Sequence, residues 1–322
     1  MNLKKVDEIA RAVLYEGYLL YPYRPSSVKN QQRFNFGVLH PQAYSEAQSG
    51  TDACSLQAEC LLEGDSDAAV EVRLRFLHLR LRMNEDSPET DSWQEAEERE
   101  MVVPPISMQR LCEEPVREGF VFPSGMRGIA SGMPKNGPVQ RRVCGIIEIT
   151  AEKLRDDVSK ISVVVRNATA IGDPACSRDQ ALMRSLISAH LVLGAENGKF
   201  VSLLEPPGDM QAFAKECQNV GVWPVLVGEA GERDTMLASP IILYDYPQIA
   251  PESAGDLFDG TEIDEILSLR IMTLTEEEKQ EIRQSDERAR QILERTENMP
   301  AEQFIKLHGA VRGLRPLGKE TP

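Results

Sequence analysis

The residues best equipped for recognition chemistry lie between Tyr18 and Arg33. Tyr18, Tyr21 and Tyr23 alternate there with Arg24, Lys29, Asn30 and Arg33, and Pro22 and Pro25 punctuate the run. Five of the chain's seven tyrosines fall between Tyr15 and Tyr44. Rings interleaved with forked and amide donors suit a protein partner, since Tyr and Arg dominate interface hot spots. Pro22 holds the backbone extended between Tyr21 and Tyr23, which lowers the entropy lost on docking. A structural loop with Arg24 and Lys29 in ion pairs is the competing reading.

A second cluster is acidic. Asp256, Asp259, Glu262, Asp264 and Glu265 surround Phe258 and Gly260. A calcium loop with Gly260 at its sixth position would need ligands at Gly255 and Ile266, so that register fails. An acidic helix start, favoured by the helix dipole, is the plain alternative. Asp256, Asp259 and Glu262 stay as weak metal candidates.

Other chemistry fails on spacing. Gly132 to Gly137 has phosphate-loop spacing, but Pro138 stands where lysine is needed; Gly194 to Lys199 has the lysine and one residue too few. The chain has four histidines, His40, His78, His190 and His308, no two close in sequence. His78 falls on the polar parity of a strand and is expected on a solvated face; His190 is expected as a packed or rim residue of a helix. Of the six cysteines only Cys54 and Cys60 are close, and none forms C-x-x-C. Six reduced thiols are expected. No catalytic residue and no cofactor is indicated.

Net charge is −15 over 322 residues. That disfavours nucleic acid, which needs a cationic face. The charge is uneven. Residues 1–34 carry six bases against three acids, residues 84–100 eight acids against Arg99, and residues 252–297 fourteen acids against six bases. No apolar run approaches the roughly 20 residues of a membrane helix, and the N-terminus lacks a secretory pattern. A cytoplasmic protein with no membrane span is expected.

The elements that must position these groups follow from periodicity. Asp7 to Leu14 has helical spacing. Val70, Val72, Leu74 and Phe76 share one strand parity; the apolar phase then switches to Leu77, Leu79 and Leu81, which implies a bulge or a change of partner near Phe76. Residues 84–100 suggest an acidic loop. Residues 143–150 and 160–169 suggest antiparallel strands. Ser177 and Gln180 form a capping box that opens a helix expected to run to Leu193 and stop at Gly194. Residues 259–312 look helical, with Thr275 and Glu278 as a second capping box. The expected fold is α+β: a largely antiparallel β core with packed helices and a helical C-terminal element. The expected division is 1–258 for the core and its Tyr-rich segment, 259–315 for the helical element, and 316–322 for a tail.

Six stretches carry a family likeness. They are Leu14 to Arg24, Glu59-Cys-Leu-Leu-Glu-Gly64, Phe200 to Leu204, Trp223-Pro-Val-Leu226, Ser239-Pro-Ile-Ile-Leu-Tyr-Asp245 and Ile249 to Leu267. Together they resemble an uncharacterised family encoded beside high-affinity, actinobacterial-type nickel–iron uptake hydrogenases. The resemblance implies a non-enzymatic accessory, assembly or interaction protein whose partner is a hydrogenase subunit or maturation factor. The alternative is a small-ligand or metal-binding enzyme with its acidic site near Asp256–Glu262.

Overall fold

The computed structural model describes residues 36–83, 92–126 and 139–248, with shorter pieces within 6–10 and 275–298. The chain divides into two compact units, residues 1–18 with 32–248, and residues 19–31 with 249–322. The first holds the fold. In the second, Arg283 makes an ion pair with Glu297 at 2.9 Å.

The first unit is a ten-stranded antiparallel sheet, curled into a nearly closed barrel. Its strands are β1 (Ser55–Met83), β2 (Ser92–Ser107), β3 (Val116–Phe122), β4 (Gly125–Met126), β5 (Val139–Gln140), β6 (Val143–Arg155), β7 (Val158–Asn167), β8 (Ile187–Val201), β9 (Trp223–Leu226) and β10 (Thr235–Ser239). The helices α1 (Gln42–Ala47), α2 (Met108–Glu113), α3 (Arg178–Leu182) and α4 (Gln211–Glu216) are each five or six residues long.

This corrects the expected α+β fold. The protein is mostly β, its named helices are single turns, and no long C-terminal helical element is among the described residues. The helix expected from 178 to 193 does begin at the Ser177–Gln180 capping box, but it ends at Leu182. Residues 187–195 are instead strand β8, buried on both faces. A continuous apolar run gives helix and central strand the same signature, and Leu186, Ala189 and Leu193 fell at helical spacing by coincidence. The acidic stretch from Ser92 is strand β2, not loop. It lacks apolar periodicity because its acids meet the bases of β1: Glu100 binds Arg75 at 2.7 Å and Glu95 binds Arg80 at 2.8 Å.

β1 is the spine. Its first half pairs with β7, its second half with β2, and its other edge with β8. The apolar phase change at Phe76 coincides with a register shift: Arg75 faces His190, but Leu77 faces Ile187. β8 therefore spends one extra residue there, near Ser188, whose φ is +52°. The core beneath is closed by Leu74, Phe76, Ile147, Ile149, Val163, Leu191, Leu193 and Phe200. Phe120 lies opposite Gly145 across β3 and β6, and a Cβ on Gly145 would strike the Phe120 ring and the Arg166 carbonyl. The glycine is required there so that a ring can lie flat on bare backbone.

Candidate functional site

The segment at residues 36–40, bridged to β8's approach at Leu39–Leu186, joins three buried polar groups. Leu39 exchanges backbone bonds with Leu186, and Asn167, at the end of β7, donates through Nδ2 to the carbonyls of Leu39 (2.8 Å) and Arg184 (2.9 Å). Asn167 Oδ1 accepts from the Thr169 N–H at 2.9 Å. Beside it stand Ser185, His40 and Asp52, residue types that could make a nucleophile, base and acid. Ser185 Oγ lies 3.2 Å from His40 Nδ1, and His40 Nε2 lies 3.8 Å from Asp52 Oδ1.

Their geometry excludes that use. Ser185 is fully buried, and its hydroxyl proton already goes to the Ala181 carbonyl at 2.8 Å. It must accept from His40 Nδ1–H, so the imidazole offers it no base. Burial holds the His40 pKa below its ordinary value, with Asp52 pulling the other way. This cluster is a latch that ties the chain after residue 36 to β7 and α3.

A second polar group sits inside the barrel, where β1, β2 and β5 meet. Cross-strand partners share a face. Phe76 faces Arg99, His78 faces Glu97, and Arg80 faces both Glu95 and Gln140. Arg99 Nη2 donates to Glu97 at 3.0 Å and to Gln140 Oε1 at 3.1 Å, and Gln140 Nε2 donates to Glu97 at 3.3 Å. The triangle rests on aromatic rings. The Arg99 guanidinium lies 5.2 Å from the centre of Phe122, and Phe76, Phe120 and Phe122 stand 5.4–6.1 Å apart.

His78 is the deepest member, with no exposure. Its Nε2 lies 2.8 Å from the Arg141 carbonyl. A carbonyl only accepts, so Nε2 carries the proton and Nδ1 is a bare acceptor. Burial takes its pKa down to about 4, with the Arg99 charge pushing the same way, so the ring is neutral. His78 Nδ1 and Arg99 Nε are both buried without a hydrogen-bond partner. His190 on β8 is similar: Nδ1 meets the Ser188 carbonyl at 2.8 Å, Nε2 has no partner, and burial lowers its pKa to about 4.

Neither a family model nor any curated protein matches this chain.

The residues singled out from the sequence are not in this group. Tyr18, Tyr21, Tyr23, Arg24, Lys29, Asn30 and Arg33, and likewise Asp256, Asp259 and Glu262, lie outside the described residues. His78 was expected on a solvated face and is instead in the interior; His190 was expected in a helix and is in a strand. The interior group was missed because its members are split among a strand read correctly, one read as loop, and Gln140 on the short strand β5. The signal that would have found it is the hairpin register: folding 73–83 back on 92–102 sets Arg75 against Glu100, His78 against Glu97 and Arg80 against Glu95.

All six cysteines are free thiols. Burial drives the Cys60 thiol far up in pKa and Cys217 up to about 11, the latter helped by Glu59. Cys60 packs in the barrel interior, whereas Cys217 packs with Leu61, Val201 and Met210 in a separate cluster. Among the described residues no three His, Cys, Asp or Glu side chains are arranged to hold a metal ion, and no helix is long and apolar enough to cross a membrane.

Proposed function

We propose that this chain is a non-enzymatic accessory protein that captures a protein partner, and that the partner is a nickel–iron hydrogenase subunit or maturation factor. The observation that carries the partner-binding half is where the resemblance stretches leave their large apolar side chains. Trp223, Ile242 and Tyr244 belong to two of those stretches and are 42%, 72% and 86% exposed. Exposed apolar side chains gathered in the family's own motifs mark a contact surface better than a fold determinant. Tyr18, Tyr21, Tyr23, Arg24, Lys29, Asn30 and Arg33, which lie outside the described residues, are the sequence's own candidates for partner capture by rings and forked donors, with no bound cofactor. The hydrogenase half rests on the sequence resemblance alone.

Deleting the gene from a host that takes up hydrogen tests the partner class. Loss of uptake, or of large-subunit processing, is expected; normal uptake with normal processing removes the hydrogenase link. The surface is tested separately by Ile242→Asp with Tyr244→Asp. Both side chains are solvent-facing, so the fold should survive while partner capture in a pull-down falls. Undiminished capture would move the contact elsewhere.

A further inference from the structure

We propose that the outer face of β3, β6 and β7 docks an acidic, extended segment of a protein partner, with an apolar side chain of that segment seated over Gly119. This surface is separate from the side chains of Trp223, Ile242 and Tyr244, and it does not rest on the accessory role proposed above.

Strand parity defines the face. Phe120, Ile147 and Val165 belong to the core. Their neighbours Arg117, Gly119 and Val121 on β3, Ile146 and Glu148 on β6, and Arg166 on β7 therefore point outward. Register sets Gly119 beside Ile146 and Ile146 beside Arg166, with Arg117 opposite Glu148 one row away. Val121 and Ile146 are 52% and 40% exposed. Gly119 leaves a dip next to both. A Cβ there would meet nothing nearer than the Gly145 carbonyl at 4.0 Å. Its backbone is ordinary strand without a positive φ, so the missing side chain leaves room rather than relieving strain. A bare glycine in a strand is a place where another chain can approach closely.

Charge names the occupant. The whole chain carries −15, yet the described residues of this face include Arg117, Arg142 and Arg166 against Glu148. Arg117 takes Glu148 at 2.5 Å. Arg166 reaches Glu148 only at 4.0 Å and is 54% exposed. Arg142, just before β6 and of the same parity as Ile146, is exposed and has no ion pair among the described residues. Two guanidiniums are thus left to fork onto carboxylates. An extended segment turns alternate side chains to one side, about 7 Å apart, so carboxylates flanking one apolar residue meet the arginines around the dip. A second copy of the same face would set arginine against arginine. Repeating phosphates need a run of cations, which two arginines do not supply.

The test uses the full chain and a capped octapeptide of alternating Glu and Val, followed by methyl NMR. The peptide should shift the Val121 and Ile146 methyls saturably, and less so at high salt. The same peptide with Gln in place of Glu should bind about fivefold more weakly or worse. Arg142→Gln and Arg166→Gln should each weaken the acidic peptide about two- to fivefold, as loss of an exposed ion pair does. Gly119→Val, which fills the dip and suits a strand, should weaken it about tenfold, because a valine loses its seat. Lys215→Gln on α4 removes the same charge from another element and should change nothing. Unmoved Ile147 and Ile149 methyls show that each variant is folded. Any of five results overturns the proposal. The two outward methyls stay still at millimolar peptide. The Gln peptide binds equally. Lys215→Gln costs as much as Arg166→Gln, which would mean net charge alone. Gly119→Val binds normally. Oligothymidylate shifts the same methyls at lower concentration than the peptide, which would mean a nucleic-acid face.

Discussion

Asn167 is the residue whose loss should be felt most for its size. Its amide closes three hydrogen bonds at 2.8–2.9 Å, to the Leu39 and Arg184 carbonyls and from the Thr169 N–H, and it is 2% exposed. Asn167→Ala removes all three. The Leu39 carbonyl keeps the Leu186 N–H, so the change orphans two groups. A buried orphan costs about 1–3 kcal/mol. The Arg184 carbonyl is only partly buried and regains some water, which sets the expected loss at about 3 kcal/mol, in the lower half of the roughly 2–6 kcal/mol range for two such groups. Asn167→Asp sharpens the test. One carboxylate oxygen keeps the Thr169 N–H, but the other meets two carbonyl oxygens, so its charged form is disfavoured in the fold. A carboxyl whose folded pKa stands above its unfolded value adds stability at low pH and loses it as the pH rises through the folded value. The Asp variant should therefore be the weaker of the two at pH 7 and close the gap on the Ala variant as the pH falls. Urea melts followed by tryptophan fluorescence, run from pH 7 to 4.5, measure both; the titration of the histidines is common to the pair and drops out of the difference. A cost under 1 kcal/mol for Asn167→Ala, or an Asp–Ala gap that ignores pH, would show that the latch is hydrated and the reasoning wrong.

Gly145→Ala should cost about 3 kcal/mol, the upper end of overpacking, because the added methyl meets the Phe120 ring and lies 2.8 Å from the Arg166 carbonyl; Phe120→Leu in the same chain should recover only part, since the backbone contact remains, and full recovery in thermal melts would contradict this. His78 and His190 titrate near 4 in the fold against about 6.5 unfolded. A base depressed in the fold leaves stability intact above 6.5 and drains it as the pH falls toward 4, by roughly 3 kcal/mol for each ring; a melting temperature flat between pH 6.5 and 4.5 would show that the rings reach solvent. Thiol labelling of the native protein should modify exposed Cys112 first and Cys60 only on unfolding; early labelling of Cys60 would mean the barrel opens. In denaturant without reductant the count should be six.

What could be read from the sequence was local. The phase change at Phe76 shows in a single strand's apolar parity, and the Ser177–Gln180 cap shows in four residues. What escaped depended on partners. β8 is buried on both sides, so nothing in its own sequence separates it from a core helix. β2 owes its place to the arginines of β1, and its acids look like a solvated loop until the register is known. The interior site needed both strands at once, plus Gln140 from a third, and no spacing within one segment carries that information. His78 illustrates the limit: with Arg80 and Arg82 beside it the local pattern points to water, and only the closing of the barrel makes that face an interior.

The layout of β1 has a consequence at the ribosome. It is made early, yet the strand that covers its second edge comes about a hundred residues later, a gap of roughly 5–20 s at translation rates of about 5–20 residues per second. Through that interval a long ribbon rich in Leu, Val and Arg is paired on one side and bare on the other, the condition in which sheet edges recruit one another. The chain should therefore be sensitive to chaperone supply and to synonymous pausing between codons 84 and 186, where a delay prolongs the bare edge without changing a single amino acid.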